Sequence, residues 1–296
     1  MTTPYATLDW RLASPFGGQH AAGYGVGRAG RGRPAHGRIA GMVALSAAVA
    51  VADGAPAQDS LQANNPIAAS VSYNLQNEYI GNLSGIDEDA NVLNFRSVIP
   101  LSQDWIARIT VPLVTLPQVE AVDPLSFEHE TGLGDTNIFA IRLLDAGSPT
   151  VSFGIGPSIT VPTATQDGLG SDTWNAGVAN VLFNFTNPRF QWGYLAVWET
   201  DVAKNDGDAA DINRAVFQPF GIYQLGQGWY LRSTGVWNYD FETDSYSIPI
   251  GAGFGRVIPL ERTVINAFFE PQYSVASNGD GQREWGIFFG INFQQR

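Results

Sequence analysis

The chain has 296 residues, no Cys and 15% charged residues, with 16 Lys and Arg against 28 Asp and Glu for a formal charge of −12. That balance excludes the basic surface that nucleic-acid phosphates demand. The lack of Cys excludes disulfide scaffolds and Cys-based thiol or metal chemistry.

The N-terminal region reads as an export signal. Arg28, Arg31, Arg33 and Arg38 form a basic stretch, and residues 39–52 follow as an uncharged run rich in Ala, Val and Leu. Ala55-Pro56-Ala57 then supplies a small-x-small cleavage site. The apolar run is too short for a bilayer-spanning helix, which needs ~20 residues. We expect residues 1–57 to be a signal peptide with an extended N-terminal region, cleaved after Ala57, and 58–296 to be the mature domain. Cleavage removes five Arg and two Asp and leaves 11 basic against 26 acidic residues. No later segment is apolar for ~20 residues, so a membrane could be crossed only by strands.

The mature segments repeat with period two. Val71, Tyr73, Leu75 and Tyr79 alternate with Ser72, Asn74, Gln76 and Glu78. Trp105, Ala107, Ile109 and Val111 alternate with Arg108 and Thr110, and Val151, Phe153, Ile155, Ile159 and Val161 with Ser152, Gly154, Gly156, Ser158 and Thr160. Phe190, Trp192, Tyr194, Ala196 and Trp198 alternate with Gln191, Gly193 and Glu199. Trp285, Ile287, Phe289, Ile291 and Phe293 face away from Glu284, Gly286, Phe288, Gly290 and Asn292. Side chains of a strand point alternately to its two faces, so each segment has a greasy face and a mostly small or polar one. A soluble sandwich would bury the greasy face in a core; a transmembrane barrel turns it to lipid and the polar face to its lumen.

Twelve such runs begin near 67, 92, 105, 133, 149, 174, 190, 213, 229, 246, 263 and 284. Short connections at 100–104, 145–149, 186–189, 225–228 and 258–262 alternate with mostly longer ones at 81–91, 115–131, 163–173, 200–211, 240–245 and 276–283. This predicts an all-β, transmembrane, antiparallel up-and-down β-barrel of about 12 strands, with short periplasmic turns and longer extracellular loops. The long loops hold 17 of the 26 mature acids, with only Lys204 and Arg283 against them. They read as a solvated acidic rim, with divalent cations shared with lipopolysaccharide as the sharper alternative.

On the inward parity the sequence places Arg96, Arg108, Arg142, Arg214 and Arg232 together with Glu78, Glu199, Glu270 and Gln218, as pore-lining candidates. They read either as cross-lumen pairs that fill the barrel or as a constriction that sorts solutes. Trp105, Trp192, Trp198, Trp229, Trp237 and Trp285 fall on the outer parity as membrane-girdle anchors. The mature chain has one His, His129, in a loop, and no Gly-x-Ser-x-Gly elbow. Catalytic residues, a bound metal and a cofactor are therefore not expected, and the chain does not read as an enzyme.

Gly132-Leu133-Gly134-Asp135-Thr136, Gly156–Thr163, Leu169–Gly177, Gln218-Pro219-Phe220, Gly226–Leu231 and Pro249–Gly253 occur in an order and spacing that resembles the outer-membrane proteins of the "MetA-pathway of phenol degradation" or putative transporter family. The resemblance is best over 132–293. It implies a porin-like barrel in the Gram-negative outer membrane that takes up small neutral or aromatic compounds passively, with the barrel-assembly machinery and lipopolysaccharide as partners. The alternative is a plugged structural or adhesive barrel acting through its acidic loops. One departure from barrel habit is the tail Gln294-Gln295-Arg296 after the last aromatic, Phe293.

Overall fold

A computed structural model describes residues 62–122, 125–205 and 207–296. The expected signal peptide and its cleavage site lie outside these residues. Fifteen strands form: β1 (Ser72–Leu83), β2 (Ala90–Pro100), β3 (Trp105–Val122), β4 (Leu125–Leu133), β5 (Thr136–Leu144), β6 (Val151–Val161), β7 (Thr173–Asn187), β8 (Phe190–Lys204), β9 (Asn213–Gly226), β10 (Trp229–Thr234), β11 (Trp237–Asp240), β12 (Ser245–Gly251), β13 (Gly253–Pro259), β14 (Thr263–Asn278) and β15 (Arg283–Gln295).

Three pairs of these are one strand broken once. β4 and β5 are separated by Gly134-Asp135, β10 and β11 by Gly235-Val236, and β12 and β13 by Ala252. Counted so, twelve strands run antiparallel, each beside its sequence neighbours, and β1 pairs with β15 from Ser72↔Gln294 to Leu83↔Arg283 to close the barrel. Closure leaves no unpaired edge.

The outer surface carries exposed Tyr73, Leu75, Phe95, Ile155, Tyr223, Leu231, Phe254, Phe269 and Phe289, among others. A continuous apolar exterior of this kind belongs to a barrel whose solvent is hydrocarbon. The 226–228 turn shows how tightly the periplasmic connections are made. Gln227 and Gly228 sit at φ +52° and +79°, the left-handed pair that a two-residue hairpin needs to match strand twist.

Three expectations are corrected. Residues 115–122 and 125–131 are no irregular loop, because β3 and β4 stay paired from Leu113↔Leu133 to Val122↔Leu125, beyond the end of β2. The first strand begins at Ser72; the run from 67 to 71 lies before it. Ile67 instead packs with Val98, Ile106, Phe139, Ile141 and Leu195, inside the barrel. Arg283, expected in an outer loop, is buried and faces inward.

Candidate functional site: the barrel interior

The inward faces are set by strand parity. On β1 the buried positions include Gln76, Glu78 and Ile80; on β8 they include Gln191, Leu195, Val197 and Glu199; on β14 they are Val264, Asn266, Phe268, Glu270 and Gln272. Of the pore-lining candidates, Arg96, Arg108, Arg214, Arg232, Glu78, Glu199, Glu270 and Gln218 lie on inward faces. Arg142 does not. On β5 the buried set is Asn137, Phe139 and Ile141, and Arg142 is exposed on the outer side. It lies across from Trp105 near the periplasmic end, where a long side chain can carry its charge out to water.

Two buried carboxylates organise the interior. Glu199, 1% exposed, accepts from Ser158 Oγ (2.6 Å), Asn137 Nδ2 (2.9 Å) and Thr160 Oγ1 (2.9 Å), and pairs with Arg214 (3.4 Å). It thereby ties β5, β6, β8 and β9 together across the lumen face. Glu270, 0% exposed, accepts from Arg232 Nε (2.7 Å), Thr234 N (2.7 Å), Thr234 Oγ1 (3.0 Å) and Gln272 Nε2 (3.0 Å). Gln272 Oε1 accepts from Arg283 (3.0 Å), which is ion-paired to Glu78. One network thus runs from β10 through β14 and β15 to β1. Arg232 also lies flat against Phe268 at 3.7 Å, a favourable cation–π contact.

The Glu270 cluster has a backbone task. β10 pairs with β13 over Trp229–Arg232, and β11 pairs with β12 over Asn238–Asp240; the stretch between has no ladder on that side. Unmet backbone groups at membrane depth cost several kcal/mol each. Side chains meet them here. Thr234 N donates to Glu270, Thr234 O accepts from Gln272 Nε2 at 2.6 Å, and Pro249 O accepts from Trp237 Nε1 at 3.1 Å. Gly251 makes room, since a Cβ there would fall on Glu270 Oε1. A wall pocket marks the same place. Outward Leu231, Trp237 and Ile250 line it together with inward Phe220 and Arg232.

Not all of the interior is polar. Ile106, Phe139, Ile141, Ala179, Val181, Leu195 and Val197 form an apolar cluster, and Ile80, Leu83, Ala90, Val92, Val114, Leu116 and Leu169 form another beneath the outer loops. Sequence reasoning missed both, because an aliphatic residue on an inward face carries the same pattern as one on an outward face. At the periplasmic end, Asn266 Nδ2 donates to Ala63 O and Asn64 Oδ1 (3.0 Å each), and Asn65 Oδ1 receives Ile67 N at 3.0 Å. The 63–68 segment is thereby seated in the mouth. Above it lies a cavity of about 140 Å³, lined by Ala63–Pro66, Arg96, Arg108, Gln218, Phe220, Phe268 and Phe288 among others.

The tryptophans sit at two levels on the outer face. Trp105, Trp192 and Trp229 are within three residues of a periplasmic turn, and Trp198, Trp237 and Trp285 lie toward the opposite ends of their strands. Trp174, exposed at the start of β7, joins the second group without having been anticipated. On the outer loops, His129 Nε2 lies 3.1 Å from Asp89 Oδ1, and Glu88 is near both. The hairpin that brings His129 back across forty residues could not be read from spacing.

No family model matches the chain, and no curated protein matches its sequence. The resemblance drawn from residues 132–293 therefore has no confirmation at the level of a named family. Solved structures do match. The COG4313 outer membrane channel of Pseudomonas putida superposes with a TM-score of 0.54 at 11% identity, over 77% of this chain and 95% of that one. A NanC porin superposes with a TM-score of 0.50 at 8% identity, over 76% of this chain and 99% of that one. At such identities the likeness is one of fold: the chain has the architecture of an outer-membrane β-barrel.

Proposed function

We propose that this barrel is an outer-membrane channel for the passive uptake of small solutes. The observation that supports the reading most is the cavity in the periplasmic half, lined by Arg108, which has no hydrogen-bond or ion-pair partner among the described residues, and by Arg96, whose Nε is unmet. A barrel kept only as a structural element has no use for donors held away from partners, because each costs free energy when buried. The two solved channels similar in fold support the same reading, and the resemblance of residues 132–293 adds neutral or aromatic compounds as the solute class. The six predicted tryptophans, with Trp174, serve as interface anchors. Lipopolysaccharide and the assembly machinery are the expected partners of the outer face. Single-channel recording with refolded protein in a planar bilayer tests the proposal. We expect small, discrete conductance steps; protein that migrates as a folded barrel and passes no current would refute it.

One observation favours the second reading, a barrel plugged at rest. Ile67 and the 63–65 turn occupy the periplasmic mouth. Deleting residues 62–68 separates the cases. Conductance that appears only after the deletion means that this segment is the plug; equal conductance in both proteins means that solutes pass it.

A further inference from the structure

Arg108 differs from the other inward arginines. Arg214, Arg232 and Arg283 each face a glutamate. Arg108 is 8% exposed and makes no hydrogen bond or ion pair among the described residues; its Nε is buried without a partner. The Phe139 ring lies against it, at 4.2 Å. Arg96 is the second exception. It donates to Gln76 Oε1, and its Nε is also buried and unmet.

The two are neighbours. The register sets Arg96 opposite Thr110 and Val98 opposite Arg108, so both guanidinium groups rise from the same inward face as a diagonal pair. Diagonal positions lie about 7–8 Å apart at the backbone, within mutual reach of long side chains. Three of the five inward arginines are ion-paired to glutamates, and the other two, Arg96 and Arg108, stand side by side. Like charges buried together repel and are desolvated at a cost. An anion placed between them removes both penalties, and a guanidinium fork matches a carboxylate best.

The cavity fixes the rest of the ligand. Arg96, Arg108 and Arg232 line it among Asn and Gln side chains; Arg232 covers Phe268 and Phe288, which leaves Phe220 as the aromatic wall. Its volume of about 140 Å³, open on one side, limits the enclosed part of a ligand to about a single ring. We propose that this cavity binds a small aromatic carboxylate, with the carboxylate on Arg108 and Arg96 and the single ring against Phe220. As the substrate class of the channel, the proposal rests on the uptake reading; as a binding site, it is tested without current.

Benzoate and benzyl alcohol are titrated by calorimetry into the refolded barrel in detergent. The proteins are the unaltered chain, Arg108→Gln, Arg108→Lys and Arg142→Gln, with folding checked by heat-modifiable migration. Benzoate is expected to bind the unaltered chain and Arg142→Gln alike. It should bind roughly tenfold or more weakly to Arg108→Gln, as loss of a charge-assisted hydrogen bond implies, and several-fold more weakly to Arg108→Lys, which keeps the charge without the fork. The lysine variant keeps the test valid if the glutamine variant fails to fold. Benzyl alcohol bound as tightly as benzoate, inorganic phosphate competing as well as benzoate, or binding indifferent to Arg108 would each overturn the proposal. Benzoate bound without conductance refutes the channel alone; conductance without benzoate binding refutes this site alone.

Discussion

Replacing Glu270 by Ala should destabilise the barrel more than any other single change to the interior polar groups. The substitution strips Arg232 of its carboxylate and Thr234 N of its acceptor at once, at a site with no exposure. Breaking one side of a buried ion pair costs about 3–5 kcal/mol, and an orphaned backbone donor contributes about 1–3 kcal/mol to such a loss. At about 2–4 °C per kcal/mol for a domain of this size, the gel-shift midpoint on heating should fall by roughly 6–20 °C. The double variant Glu270→Ala, Arg232→Met removes the stranded charge and keeps an apolar chain against Phe268 and Phe288. It should recover most of the loss but stay about 1–3 kcal/mol below the unaltered protein, because Thr234 N is still unmet. The assay is the heat-modifiability midpoint, with urea unfolding in lipid vesicles as the equilibrium measure. A single variant within about 1 kcal/mol of the parent, or a double variant no more stable than the single, would refute the argument.

Gly251→Ala should act through the same group, since its methyl displaces Glu270 Oε1; a loss of about 1–3 kcal/mol is expected, and thermal melts should show it shrinking when Glu270 is already Ala. Trp237→Phe should cost about 1–2 kcal/mol more than Trp192→Phe in vesicle unfolding, because only the first frees a backbone carbonyl, Pro249 O; equal losses would mean that both tryptophans act only as anchors. Gly228→Ala, at φ +79°, should lose about 1–2 kcal/mol and slow refolding from urea. Arg142→Gln should leave stability within about 0.5 kcal/mol of the parent, as for other surface positions.

Much of this fold was legible because a barrel strand has one rule with few exceptions. Alternation at Trp105–Val111 and Phe190–Glu199 fixed which side chains turn inward, and eight of the nine lumen candidates followed from it. The misplacement of Arg142 has a local cause. Gly134-Asp135 interrupts its strand, and the nearby Leu143 and Leu144 blur the period, so parity could not be carried through from Leu133. Arg283 was hidden for a related reason: register shifts at Ile80–Leu83 let a residue at a loop margin turn into the wall. The side-chain repair of the β10–β11 break could not be read at all. It joins Thr234 to Glu270 and Gln272 across more than thirty residues, and no period links them.

That repair has a mechanical consequence. In a closed barrel, stiffness is shared among ladder bonds that act in parallel, so no single strand junction yields first. Here the middle of one junction, between Arg232 and Asn238, is pinned by a carboxylate, an amide and an indole instead of by backbone. Lateral tension from a compressed or thickened bilayer would concentrate there, between Thr234 and Pro249, where side chains carry the load.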